Sequence, residues 1–232
     1  MSDNDIAAGD IAGLVDEMLA AARQLGIRSV LSASGHGNIS IRRSGTEEML
    51  YTAVSNLREL TPAGIARIGL DGTLLAGTLS PLSAGGARMH AAVYQARPDL
   101  GCVVHTHSPF ATAYAVAGRP IGCWAEPLSI FGMAAGIPVV PYGFRGSPAA
   151  LEPLRRAVAQ PDVRAVLLQN HGVLAFAGTA ADAVHVSTLV EEAAQLGIYA
   201  SSLGGPLLLP DSPPDNPSVT GHAIDAALEG GA

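Results

Sequence analysis

AVLLQNHGVLAFAG, residues 165–178, decides how this chain folds. It is an apolar run interrupted by Asn170-His171-Gly172, which reads as two strands folded back on each other through a tight turn. A histidine held between two apolar strands is hard to explain by packing alone. Working outward, the β-branched run CVVHTH, residues 102–107, supplies the matching observation. Residues i and i+2 of a strand share a face about 6.6 Å apart, so the imidazoles of His105 and His107 can converge on one ion. His171 offers a third ligand. Imidazole suits Zn, Fe, Mn or Ni, and a three-histidine site leaves positions open for water or substrate. A His-x-His pair alone also arises by chance on a half-exposed strand; the third histidine in a strand turn is what favours a metal.

The rest of the chain alternates strands and helices. Ile11, Leu14, Val15, Met18, Ala22 and Leu25 recur at helical spacing, with Gly26 as a stop. NISIR (38–42), MLYTAV (49–54) and ARIGL (66–70) read as strands, and Asp71-Gly72 turns the last of them into TLLAG. ARMHAAVYQA (87–96) suits a helix ending before Pro98, and Ser108-Pro109 opens another. IPVVPY (137–142) reads as a strand, PAALEPLRRAVAQ as a helix, and residues 179–203 as a long amphipathic helix. This alternation predicts one domain of class α/β, a sheet covered by helices, over residues 1–203. Residues 204–232 form a Pro/Gly-rich arm with at most a short helix beyond residue 217.

Composition narrows the function classes. Of 232 residues, 48% are hydrophobic and 14% charged, enough apolar surface to sustain a packed core. Thirteen Lys and Arg stand against 20 Asp and Glu, a formal net charge of -7, with no basic cluster, so nucleic acid is not an expected partner. No apolar run reaches the roughly 18 residues of a membrane helix, and the start MSDNDIAAGD has no signal-peptide core, so no membrane association is expected. Cys102 and Cys123 form no CxxC pair, which fits a reducing cytoplasm. GxGxxG, a P-loop and a nucleophile elbow are all absent. Among the other histidines, His90 reads as a core or catalytic group on its helix, His185 and His222 as structural or solvated, and His36 as a loop residue in Gly-His-Gly.

Taken together, SGHGNISIR, MHAAVYQARPDLGCVVHTHSPFATA and AVLLQNHGVLAFAGTAADAVHVSTLVEEAAQL resemble, in order and spacing, the class II aldolase/adducin family. The resemblance spans residues 12–202 and implies an α/β/α fold with a central, mainly antiparallel sheet. It also implies one divalent metal per chain (Mn, Fe, Zn or Co) on His105, His107 and His171, and a homotetramer with sites between subunits.

The departures from that family are as informative as the match. Its sugar-phosphate enzymes carry Ser-Ser-Glu, the Glu four residues before the position of His90. Here Ala84, Gly85 and Gly86 stand in those places. The family's Thr-Pro-Thr-Gly phosphate loop aligns with Thr52-Ala53-Val54-Ser55, with Thr61-Pro62-Ala63-Gly64 as a rival register. Phosphate-binding and proton-transfer features are thus missing while the metal ligands remain. The resemblance then points to the branch of metal-dependent decarboxylases of ortho-hydroxy aromatic acids, with 3,4-dihydroxyphthalate as the leading substrate. A flat aromatic acid is expected to use room beside Gly85, Gly86 and Asn38. Arg88 is the expected carboxylate anchor, His36 the first choice for proton donor and Tyr142 the reserve. An aldolase or epimerase with another base, a non-catalytic adducin-like scaffold and a non-haem iron oxygenase are the competing readings.

Overall fold

The structure is a computed structural model and describes residues 3–43 and 45–210. Helix α1 (Asp3–Ile27) is followed by strands β1 (Gly37–Arg42), β2 (Glu48–Thr52), β3 (Ile65–Gly69) and β4 (Leu74–Ala76). Next come α2 (Pro81–Ala96), β5 (Cys102–Thr106), α3 (Pro109–Ala117), the short α4 (Glu126–Ile130) and β6 (Val139–Val140). The chain continues through α5 (Pro148–Val158), β7 (Ala165–Leu168), β8 (Gly172–Ala177) and α6 (Ala180–Ser201). The strands form one eight-stranded sheet in the order β4-β3-β2-β1-β5-β8-β7-β6. Every pairing is antiparallel except β6 with β7. The fold is therefore the expected α/β one, a mainly antiparallel sheet between helices.

Strand alternation sorts the core into two layers. Val103, Val166, Leu174 and Phe176 face α2 and α5, packing with Met89, Val93, Leu154 and Val158. Their neighbours Cys102, Val104 and Ala177 face the other way onto Met18, Leu25 and Val184, and Leu167 and Val173 onto Ala111 and Val190. Almost every position along β5, β7 and β8 is buried, which is why those segments read as continuous apolar runs rather than alternating ones.

Local differences from the sequence reading have local causes. Helix α2 begins at Pro81, ahead of residue 87, because Ser80 caps it, its Oγ accepting from Ser83 N–H at 3.1 Å. Gly85 and Gly86 thus lie inside the helix, although each costs about 1 kcal/mol relative to alanine there. The strand expected over 137–142 contracts to Val139–Val140, since Pro138 and Pro141 have no N–H to give the ladder. Residues 204–210 run without regular structure, and Leu209 N–H donates to the Cys123 carbonyl at 2.8 Å. His222 and the short helix expected beyond residue 217 lie outside the described residues. No helix among the described residues is long and apolar enough to cross a membrane.

One buried charge holds the segment that follows β5. Glu191 of α6 is 7% exposed and accepts from Phe110 N–H at 2.9 Å and Ala111 N–H at 2.8 Å. It satisfies the first turn of α3, where the N-cap Ser108 makes no side-chain bond. Glu191→Ala is expected to destabilise the fold by about 2–4 kcal/mol in chemical denaturation, because two buried N–H groups lose a charged acceptor. Glu191→Gln, whose amide oxygen still accepts, is expected to lose about 1 kcal/mol; equal losses in the two variants would contradict the capping role.

Candidate metal centre

The β5–β8 register puts His105 opposite Leu174 and Thr106 opposite Val173, so the β7–β8 turn lies beside the end of β5. Asn170 takes a left-handed conformation in that turn (φ 56°), and His171 follows it. Gly172 is required by the close passage: a Cβ there would meet the Thr106 carbonyl oxygen at 2.5 Å and His107 Cδ2 at 2.8 Å. Each residue of the Asn-His-Gly motif therefore has a geometric reason to be there.

Buried His105 donates from Nδ1 to the Val173 carbonyl at 2.8 Å. A carbonyl only accepts, so this bond fixes the tautomer and leaves the Nε2 lone pair free for a metal. His105 Nε2 lies 3.1 Å from His107 Nε2. Two imidazole nitrogens sharing one ion at about 2.0–2.1 Å stand about 2.9–3.4 Å apart, so the spacing fits. His171 Nε2 is buried with no hydrogen-bond partner, and the potential ligand atoms of the three residues all lie within 4.8 Å of one another. Burial, reinforced by His171 and His107, holds His105 well below the ordinary imidazole range. Burial, with His36 and Arg145 nearby, lowers His107, and burial with His107 and Arg145 pushes His171 down to about 4. All three rings are neutral at pH 7, as metal ligands must be. The donor set fits one divalent ion.

A cavity of about 510 Å³ opens beside His171. Its wall is largely apolar (Pro81, Leu82, Met89, Val140, Phe144 and Leu168 among others), with Gly85, Tyr142 and Arg145, and it contains no Asp or Glu. Tyr142 is exposed on this wall, its N–H donating to Gln169 Oε1 at 3.1 Å. His36 is exposed, its ring edge-on to His107 at 6.3 Å between centroids, and it is not on the cavity wall. Asn38 is half-buried and pairs with His105 across β1 and β5.

The room expected beside Gly85 and Gly86 is already filled. A Cβ on Gly86 would collide with the Tyr51 hydroxyl, and one on Gly85 would lie 3.1 Å from Arg145 Cγ and 3.2 Å from Cδ. Arg88, the expected anchor, is exposed and off the cavity wall; the cation that the fold delivers there is Arg145. The sequence reading missed both residues. Arg145 sits in the loop PYGFRGSP, where a cation among Pro and Gly is a usable signal. Tyr51 has no such signal, since MLYTAV reads as an ordinary buried strand. His90 is a core residue, bonded through Nδ1 to Ser40 Oγ at 2.8 Å, and burial pushes it down to about 3. His185 meets Phe131 edge-on, centroids 4.4 Å apart.

Metal titration followed by elemental analysis is expected to give one divalent ion per chain, and His105→Ala, His107→Ala or His171→Ala to lower affinity by at least about 100-fold. Because burial lowers all three imidazoles from their ordinary range, uptake should persist to lower pH than three solvent-exposed histidines would allow. Full metal content in each single variant, or uptake halved by pH 6.5, would contradict this geometry.

Comparison with known proteins gives the family. The model of the class II aldolase and adducin N-terminal domain matches residues 16–198. The chain is 32% identical over 208 residues to 5-deoxy-D-ribulose 1-phosphate aldolase of Bacillus thuringiensis serovar kurstaki, covering 87% of this chain and 92% of the relative. It is 33% identical over 187 residues to 3,4-dihydroxyphthalate decarboxylase of Arthrobacter keyseri, covering 77% of this chain and 72% of that one. Among solved structures, an L-fuculose 1-phosphate aldolase superposes with a TM-score of 0.76 at 26% identity, covering 86% of this chain and 91% of that one. With the histidine motifs, the fold and these relatives in agreement, the chain belongs to the class II aldolase/adducin family.

Proposed function

We propose that the protein is a metal-dependent decarboxylase of an ortho-hydroxy aromatic carboxylate, with 3,4-dihydroxyphthalate the first substrate to test. The observation that carries this reading is the cavity beside His171: mostly apolar walls, one cation and no carboxylate, with Tyr142, Gln169 and Asn170 as its other polar side chains. On the apolar part of that wall an aromatic ring replaces water with good contacts, whereas a sugar would set several of its hydroxyls against carbon.

A divalent ion (Mn, Fe, Zn or Co) on His105, His107 and His171 would supply a Lewis acid for a ring hydroxyl and its adjacent carboxylate. The remaining work belongs to the chain. Met89, Val140 and Leu168 hold the ring and keep water from its face. Arg145 makes no hydrogen bond or ion pair among the described residues, so its guanidinium is free to grip a second carboxylate in a bidentate contact. His36 and Tyr142 are both exposed, His36 edge-on to His107 and Tyr142 on the cavity wall. Assembly as a homotetramer goes with the reading, supported by the family and by apolar side chains left in solvent at Val116, Leu196 and Tyr199.

A second reading is favoured by a specific finding: the relative that covers 92% of its own length is named as an aldolase of a deoxy-sugar phosphate. Such a lyase would need a base other than the carboxylate missing at Gly86. The histidine geometry argues against a scaffold without metal. Carbon dioxide release from a panel of hydroxylated aromatic acids, set beside cleavage of sugar phosphates by the same metal-loaded protein, separates the two enzymes. Release from 3,4-dihydroxyphthalate without sugar-phosphate cleavage is the expected result, and the reverse pattern would overturn the decarboxylase. Arg145→Ala is expected to raise KM for the dicarboxylate by about 10–100-fold, while Arg88→Ala changes it by less than about 3-fold. The opposite ranking would return the anchor to Arg88.

A further inference from the structure

Polar atoms without partners gather around Gly86. Asn38 Oδ1 is buried and unbonded, while Asn38 Nδ2 and the Tyr51 hydroxyl both approach the point where a Gly86 side chain would begin. Tyr51 is 1% exposed, and its hydroxyl makes no hydrogen bond among the described residues. His90, one helical turn after Gly86, meets the Tyr51 ring edge-on at 5.3 Å between centroids. Its proton can be placed. The Tyr94 O–H donates to the Ser40 carbonyl at 2.9 Å, so Ser40 Oγ donates to Tyr94 and His90 Nδ1–H donates to Ser40 Oγ. His90 Nε2 is then a bare acceptor, buried and without a partner. Protein interiors leave few polar atoms unsatisfied, so a cluster of them beside His105 marks a place where a ligand's polar groups enter.

We infer that Tyr51 is the catalytic residue that gives a proton to the substrate, its hydroxyl standing where the fold lacks a carboxylate at Gly86. The inference rests on the decarboxylase reading. Only β1 separates β2 from β5, about 9–10 Å, and the register puts Tyr51 and His105 on the same side of the sheet; Tyr51 itself is buried and lies behind the cavity wall rather than on it. Burial pushes the Tyr51 hydroxyl well above the ordinary phenol range, with nearby Arg145 opposing only part of that shift, so the group carries its proton until it is given up.

The step balances without a further reactant. The Tyr51 Oη–H proton moves to the ring carbon bearing the carboxylate, using an electron pair from the ring, and the ring hydroxyl becomes a ketone. The proton released by that hydroxyl returns through solvent to the Tyr51 oxygen. The bond to the carboxylate then breaks, carbon dioxide leaves, and its electron pair restores the aromatic ring as a phenolate, which takes a proton from water. No electron is gained or lost overall. His90 Nε2 and Asn38 Oδ1 accept hydrogen bonds from Tyr51 or from the ring hydroxyls during this exchange.

The test is Tyr51→Phe, which removes one oxygen and keeps the ring in the core. With 3,4-dihydroxyphthalate, kcat should fall by about 100–10,000-fold, with KM changed less than about 3-fold and metal content unchanged. A merely structural role would move KM, metal content and melting temperature together. Gly86→Ala, which displaces the hydroxyl with Tyr51 still present, should reproduce the loss. Turnover of Tyr51→Phe within about 3-fold of wild type would overturn the assignment while leaving the decarboxylase intact. Should the wild type cleave L-fuculose 1-phosphate and ignore aromatic acids, the decarboxylase falls, and the same kcat comparison on that substrate decides Tyr51. A readout free of turnover completes the test. In protein labelled with ¹³C at tyrosine Cζ, the resonance missing from Tyr51→Phe should shift on addition of phthalate and stay fixed with chloride. No shift would place the ligand away from Tyr51.

Discussion

The antiparallel pairing of β5 with β8 is the constraint on which the site depends. It lets His105 donate to the Val173 carbonyl, which orients the imidazole, and it carries the Asn170-His171-Gly172 turn to within reach of His107. The approach is so close that residue 172 cannot carry a side chain without meeting the Thr106 carbonyl. On the far side, Glu191 ties the first turn of α3, so the chain leaving His107 is held by a buried charge rather than left to a loop. The three imidazoles are therefore held close together by the pairing of the strands, which would lower the ordering entropy of binding an ion there.

Around that fixed centre the chemistry has room to change. Helix α2 presents glycine at residues 85 and 86, and two side chains from distant segments occupy the space: Arg145 packs against the first, and the Tyr51 hydroxyl meets the second. A neutral phenol and a guanidinium thus stand where the family's sugar-phosphate enzymes have a carboxylate and serines. The exchange replaces a negative group by a neutral hydroxyl and a cation, which under the proposed reading suits an anionic ligand. A shared fold and metal site do not fix the reaction; the groups beside them do.

Much of this was legible in the sequence because it was local. The His105-x-His107 strand, the Asn170-His171-Gly172 turn and the helix before Pro98 each follow from spacing and residue type, and the family resemblance joined them. What escaped was tertiary. Tyr51 lies on a strand whose pattern signals only burial, and nothing in MLYTAV says that its hydroxyl ends beside a glycine on α2. Arg88 is the cation the sequence offers for a second carboxylate, but on a helix i and i+2 point to different faces, so it does not share that of Gly86, and Arg88 is in solvent. The sequence reading starts α2 at residue 87, whereas the Ser80 cap and Pro81 carry the helix through the two glycines before it. The glycines were read as empty room because a missing side chain in a sequence does not reveal which neighbour moves in.

The measurement that bears most directly on the central claim is a pair of calorimetric titrations of the metal-loaded protein, one with phthalate and one with L-fuculose 1-phosphate. A site of apolar walls, a free guanidinium and a phenol should bind the aromatic dicarboxylate at least about 10-fold more tightly, a difference of about 1.4 kcal/mol. Tighter binding of the sugar phosphate would contradict it, and would mean that Tyr51 and Arg145 serve a phosphorylated substrate instead.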